Sequence, residues 1–330
     1  MLNVLVLGYG WSGSSAVVDL LKEYNCTYTI PVEFRLIKDP YGLMDLRYNL
    51  IDRWDPLNYD IAIKDFLWFT NCLYRKSSKM PTKVGLDYKE SIGKAFRVST
   101  NNFINSIAPT IYKGDWHFLE FKDSSFNLFG KKAISKIFKK SLREYNMYYS
   151  SISGGEFDYF AKEYIKNIFS RLSENKEMVI YDQAIPTQMP LEAIHYFDNY
   201  KIIIVDRDPR DIYCDLIASK GLIGEELSKT NDTDFYSNWF NRFREKRNLQ
   251  LNGNNILLIP FENLVFESKT YIQKIETFLN ISPSCHINKS KYFIPTNSRQ
   301  NVGLWKKYPN QKAISQIKNN LAQYINKYAN

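Results

Sequence analysis

A chain of 330 residues with 44% hydrophobic and 15% aromatic content can fill a substantial core, which excludes disorder and fits one large α/β domain or a domain with a sizeable insertion. No apolar run approaches bilayer-spanning length and no basic-then-apolar leader opens the chain, so a cytoplasmic protein is expected. The formal net charge of +9 suits a phosphorylated small molecule and an anionic partner.

The first element is an apolar strand, residues 2–8, running into Gly8-Tyr9-Gly10-Trp11-Ser12-Gly13-Ser14-Ser15 and then a helical pattern with Ala16, Val17, Leu20, Leu21 and Tyr24 on one face. A strand–turn–helix of this kind aims free backbone N–H groups and the positive end of a helix dipole at one point, which makes a phosphate site. Three readings compete. Gly8, Gly10 and Gly13 spell the dinucleotide fingerprint G-x-G-x-x-G, which wants an acidic residue roughly 20 residues on; Glu33 is late for it. A triphosphate P-loop, G-x-x-x-x-G-K-S/T, meets Ser14 where its lysine belongs. The third is a loop holding one phosphate with Ser12, Gly13, Ser14 and Ser15 and no lysine.

A second apolar stretch over residues 28–33 reads as a strand beside the first, ending at Glu33, with Arg35 and Lys38 close behind. Asp39-Pro40-Tyr41-Gly42 is a turn before a helix. Residues 60–175 are aromatic, lysine-rich and mainly helical, with Phe157, Phe160, Tyr164, Ile168 and Leu172 at helical spacing. Such a block is an acceptor-binding cap at the ligand end of a sheet, or else a packing extension or the surface of a homo-oligomer. Lys131, Lys132, Lys136, Lys139, Lys140 and Arg143 form a solvated basic face; the chain carries no nucleic-acid motif, and no nucleic acid is expected. His117 is a further candidate base without a nameable partner.

The strand Met178–Tyr181 leads to Asp182, and residues 201–206 form a β-branched run buried in a parallel sheet. Asp208 then caps a helix with Pro209 in its first turn, so Arg207 stands at the strand end where ligands bind, its planar guanidinium suited to a phosphate. A last strand falls near 255–261. Cys26, Cys72, Cys214 and Cys285 are scattered without a C-x-x-C pair, which reads as reduced thiols and no structural zinc; no metal is expected.

Together these segments resemble the sulfotransferases, in particular bacterial, carbohydrate-type members, which use 3′-phosphoadenosine 5′-phosphosulfate (PAPS) as sulfuryl donor. Ser12-Gly13-Ser14-Ser15 matches the family's 5′-phosphosulfate turn, and Arg207-Asp208-Pro209-Arg210-Asp211 its R-D-P-R-D segment for the 3′-phosphate. Phe261-Glu262-Asn263-Leu264 looks like its "YEDL" turn and Phe278-Leu279-Asn280-Ile281 its "FLGI" helix end. Arg299, Gly303 and Trp305-Lys306 look like the R-K-G-x-x-G-x-W-K loop that closes over the nucleotide. The resemblance covers about residues 2–35 and 178–310. It implies a P-loop-like three-layer α/β/α fold with a central parallel sheet of about five strands, a single domain over 1–330 with 60–175 as helical insertion or cap, and sulfuryl transfer to a carbohydrate or glycolipid hydroxyl. Trp11 replaces the family's basic residue, and Asp215 stands where a phosphate-binding serine is frequent and is expected to repel the phosphate. Glu33 is the favoured base, Asp182 its rival, and Arg35 and Lys38 are candidates for the charge Trp11 does not supply. The alternatives are an NAD(P)-dependent oxidoreductase built on the glycine fingerprint and a non-catalytic basic binding protein.

Overall fold

A computed structural model describes residues 1–76, 84–114, 116, 118, 130, 134, 145–245 and 253–326. In chain order its strands are β1 (Leu2–Gly8), β2 (Thr27–Thr29), β3 (Thr110–Gly114), β4 (Tyr145–Tyr149), β5 (Met178–Asp182), β6 (Tyr200–Asp206) and β7 (Ile256–Pro260). Its helices include α1 (Ser14–Leu21), α2 (Pro56–Tyr74), α3 (Lys94–Ile107), α4 (Gly154–Phe169), α5 (Pro209–Ser219), α6 (Thr233–Arg244), α7 (Phe261–Phe266), α8 (Ser268–Leu279) and α9 (Gln311–Asn320). The chain divides into two compact units, Met1–Lys38 with Phe169–Asn330, and Asp39–Ile168. His117 and the basic cluster from Lys131 to Arg143 lie outside the described residues.

In the first unit five strands form one parallel sheet in the order β2-β5-β1-β6-β7. Parallel strands need cover on both faces, and their sequences are correspondingly apolar throughout: Val4 to Leu7 and Ile202 to Val205 are all fully buried. On one face Val4, Val6, Ile180, Ile203 and Val205 pack with Val17, Leu20 and Leu21 of α1, Leu264 of α7 and Ile275 and Leu279 of α8. On the other, Tyr181 meets Phe34, Phe169 and Phe197 edge-on at 5.2–5.5 Å. A second apolar cluster joins α5, α6 and α9 through Ile212, Leu216, Tyr236, Phe240, Ile314 and Ile317. This is the expected class, an α/β fold with a five-stranded parallel sheet flanked by helices.

The second strand departs from expectation. It spans Thr27–Thr29 rather than 28–33, and it pairs with β5, not β1. Ile30 N–H still reaches Ile180 O at 3.2 Å, but Pro31 follows, and proline within sheets is confined to edges and strand ends. Glu33 therefore sits on the chain that leaves an edge strand, with β5 between it and β1.

The second unit contains α2, α3 and most of α4 around an aromatic core. Phe103 stacks on Tyr164 at 4.9 Å and meets Phe66 and Phe157 edge-on, and Tyr164 shares a 2.6 Å hydrogen bond with Thr100. The helix over Phe157 ends at Phe169, before Leu172, and its buried face is Phe157, Ala161, Tyr164, Ile165 and Ile168. The unit also holds an antiparallel pair, β3 with β4, that helical periodicity did not suggest.

Candidate functional site

Gly8 ends β1 at the centre of the sheet, and the chain turns through Gly10 (φ 74°), Trp11 (φ 51°) and Gly13 (φ 83°) into α1. Gly13 is needed twice over. It adopts the left-handed conformation that side chains resist, and a Cβ on it would stand 2.4 Å from the Phe261 ring. As the residue capping α1 it supplies no side-chain acceptor to the helix N-terminus. Ser12 is buried with its Oγ lacking a hydrogen-bond partner, Ser14 Oγ accepts from Gln183 Nε2 at 3.1 Å, and Ser15 is exposed in the first turn. The Trp11 ring lies against Gly221, where a Cβ would meet it at 2.2 Å.

Arg207, 5% exposed, follows the last residue of β6 and reaches the same loop. Its Nη1 donates to Trp11 O at 2.9 Å and to Asp215, its Nη2 to the carbonyl of Asn301, while its Nε has no partner. Asp215 thus holds the guanidinium in place. A cavity of about 280 Å³ is lined by Trp11, Gly13, Ser15, Arg207, Asp215 and Asn301, with Phe261, Tyr292 and Phe293 also on its wall.

The neighbouring charges of the R-D-P-R-D segment are structural. Arg210 is fully buried in a two-pronged pair with Asp208 (3.0 and 2.9 Å), and its guanidinium stacks 4.0 Å from the Trp305 ring. Asp211 accepts Gly303 N–H at 2.8 Å and Trp305 N–H at 3.3 Å, which ties the C-terminal segment to the start of α5. Of that segment, Ser298 and Asn301 line the cavity, whereas the exposed Arg299 lies 5.6 Å from the Phe266 ring.

The carboxylates gather at the end of β5. Val6 pairs in register with Asp182, and Gln183 N–H continues the ladder to Val6 O at 2.9 Å. Gln183 (φ 56°) then links the loop to a cation: its Nε2 donates to Ser14 and its Oε1 accepts Lys38 Nζ at 3.1 Å. Thr187 Oγ1 donates to Gly8 O at 2.9 Å from the same stretch. Asp182 is partly buried, and its Oδ1 lacks a hydrogen-bond partner. Burial pushes its carboxyl up to about 6; the charge of Glu33 adds to the rise, and Lys38 and Lys22 oppose it. Glu33 is half exposed and paired with Arg35 at 2.8 Å. Phe34 N–H donates to Asp182 O at 2.9 Å, so the two carboxylates belong to one neighbourhood.

The cavity wall at Tyr292 and Phe293 depends on Glu23, which sequence reasoning missed. This buried carboxylate accepts His286 Nε2 (2.7 Å) and the backbone N–H groups of Ser290, Tyr292 and Phe293. Phe261, read in the sequence only as part of the "YEDL"-like turn, and Gln183, which follows Asp182, were given no contact with the glycine turn there. Only the bulk of Phe261 facing a glycine turn offered a signal, and that needs the tertiary pairing to read. Arg244, buried under Tyr9 at 4.2 Å and paired with Asp206, was a further omission. Among the described residues no group of three or more His, Cys, Asp or Glu stands together to hold a metal ion, and no helix is long and apolar enough to cross a membrane.

No protein-family model matches the chain, and no curated protein matches it. Among solved structures it is similar to the sulfotransferase domain from the Synechococcus PCC 7002 olefin synthase, at 12% identity over 97% of this chain and 93% of that one, TM-score 0.44. It is similar to the sulfotransferase domain from the curacin biosynthetic pathway, at 12% identity over 99% and 98%, TM-score 0.42. Sulfotransferase STF9 from Mycobacterium avium is also similar, at 11% identity over 98% and 75%, TM-score 0.40.

Proposed function

We propose that this chain transfers a sulfuryl group from PAPS to a hydroxyl of a carbohydrate or glycolipid. The observation that supports it most is that Gly13 and Ser15 of the Ser12–Ser15 turn and Arg207, 192 or more residues apart in sequence, line one cavity, while the turn and the arginine each hold a buried polar atom, Ser12 Oγ and Arg207 Nε, without a hydrogen-bond partner. Buried polar atoms in that state cost free energy, and a phosphate oxygen relieves it. In this reading the helix N-terminus with Ser14 and Ser15 takes the 5′-phosphosulfate and Arg207 the 3′-phosphate. Lys38, tied through Gln183 to Ser14, supplies the positive charge that Trp11 cannot.

In the transfer, the acceptor oxygen attacks sulfur in line, the bond from sulfur to the 5′-phosphate oxygen breaks, and the hydroxyl proton goes to a carboxylate. In this reading Asp182 is the base, supported by its register opposite Val6 on the strand that borders β1 and by the bond from the adjacent Gln183 to Ser14. Its raised proton affinity suits it to accept a proton near neutral pH. Glu33, held by Arg35, shapes that affinity.

The oxidoreductase alternative fits the topology less well. A dinucleotide fold places an acidic residue at the end of the strand next to β1, within roughly 20 residues of the turn. Here the neighbours of β1 are β5 and β6, and Glu33 follows the edge strand. Calorimetry and thermal melting with adenosine 3′,5′-bisphosphate and with NAD separate the readings: the bisphosphate binds and raises the melting temperature, NAD does neither. Arg207→Ala is expected to weaken the bisphosphate by about 10- to 100-fold, the scale of one charge-assisted contact. Unchanged affinity, or binding of NAD alone, overturns the proposal.

A further inference from the structure

The unit Asp39–Ile168 contains a larger cavity, of about 490 Å³, within the size range of sites for small organic ligands. We infer that it binds a neutral carbohydrate. One wall is a single face of α2, on which Leu57, Ile61 and Asp65 recur at four-residue spacing with Asn58 alongside. The facing wall carries Asp45, Asn49 and Arg53, again at four-residue spacing, across a π-helical turn at Tyr48–Asp52. Turns of this kind are rare and concentrate at functional sites. Tyr41, Trp116 and Phe118 supply aromatic surface.

The polar groups are set up for hydroxyls. Asn49 Nδ2 is used on Asp45 O at 2.8 Å and Asn58 Nδ2 on Arg53 O at 3.3 Å, which leaves both side-chain carbonyl oxygens as acceptors. Arg53 is exposed and has no carboxylate partner among the described residues, so its guanidinium remains a donor. Asp45 keeps one carboxylate oxygen after the other takes Tyr41 N–H at 2.7 Å. Donors and acceptors interspersed with aromatic faces match a pyranose ring, whose C–H face is apolar and whose rim is hydroxylated. Among the described lining residues Arg53 is the one cation and Asp45 and Asp65 are carboxylates, so no excess of positive charge there favours a phosphate, sulfate or carboxylate ligand. The site lies inside one unit, so binding there is independent of the donor chemistry. Only its connection to transfer rests on the function proposed above.

The test uses the intact chain and four neutral probes: cellotetraose, maltotetraose, N,N′,N″,N‴-tetraacetylchitotetraose and lactose, each at about 1 mM, an accessible range for single-site sugar binding. Saturation-transfer difference NMR is expected to show transfer from protein to the ring C–H protons of at least one probe. Trp116→Ala and, separately, the milder Asn49→Ala are each expected to weaken that probe at least about tenfold, the scale of a lost packing or hydrogen-bonding contact, with melting temperature as the check on folding. Arg207→Ala leaves the sugar signal intact. No transfer to any of the four probes overturns the inference, as does transfer undiminished in both cavity variants. Sugar binding without bisphosphate binding sinks the proposed function and leaves this site standing; the reverse result does the opposite.

Discussion

Glu262 offers a quantitative test of how the strand ends are held. It lies in the first turn of α7, is fully buried, and accepts Asp208 N–H on Oε1 at 2.8 Å, while Oε2 has no partner. Burial pushes its carboxyl up from 4.5 to about 7, with the charge of Asp208 adding to the rise and that of Arg207 opposing it. The folded protein therefore holds a proton that the unfolded chain releases near pH 4.5. Stability from this group is fully present below that value and is lost as pH rises through about 7. Two and a half pH units correspond to about 3 kcal/mol. In Glu262→Gln the amide oxygen keeps the Asp208 bond and the charge is gone, but an NH₂ now occupies the unpartnered position at a pH-independent cost of about 1–3 kcal/mol. The informative quantity is therefore the difference between variant and wild type in urea unfolding at about pH 4 and about pH 8. It is expected to move in favour of the variant by about 3 kcal/mol between those limits. A difference constant across that range refutes the claim that burial keeps this carboxyl protonated.

Asp182 is raised to about 6, so as a base it is competent only above that value; kcat/KM for sulfuryl transfer should climb with pH through about 6 and level off, and Asp182→Asn should abolish turnover while sparing bisphosphate affinity. A profile flat from about pH 5 to 8, or a fully active variant, refutes the assignment. Glu23 is held below the ordinary carboxylate range: burial pushes it up, but His286 and three backbone N–H groups outweigh that push. Its stabilisation is present above the unfolded value and is lost as pH falls through the folded one. Glu23→Ala, which leaves those donors buried and unpaired, should cost about 2–5 kcal/mol in denaturant unfolding and weaken the bisphosphate through the displaced Tyr292–Phe293 wall. A loss under about 1 kcal/mol would show that the segment is anchored elsewhere.

The amino-acid sequence determined the local parts of this protein. β-branched runs such as Ile202 to Val205 have one low-energy use, a strand covered on both faces. Asp208 before Pro209 encodes a helix start, which the structure caps through Arg210 N–H at 2.9 Å. Gly10 and Gly13 announce a turn that needs positive φ. Each of these is a short-range preference carried by residues adjacent in the chain. Tertiary structure alone decided which strand borders β1, because strand order depends on long-range pairing that no local pattern records. That order moved the inner carboxylate from Glu33 to Asp182. Tertiary structure also set Asp215 against Arg207 on the wall of one cavity, and it made Glu23 the anchor of a wall some 270 residues away. Burial and partner choice set the protonation of such groups, and both are properties of the assembled fold.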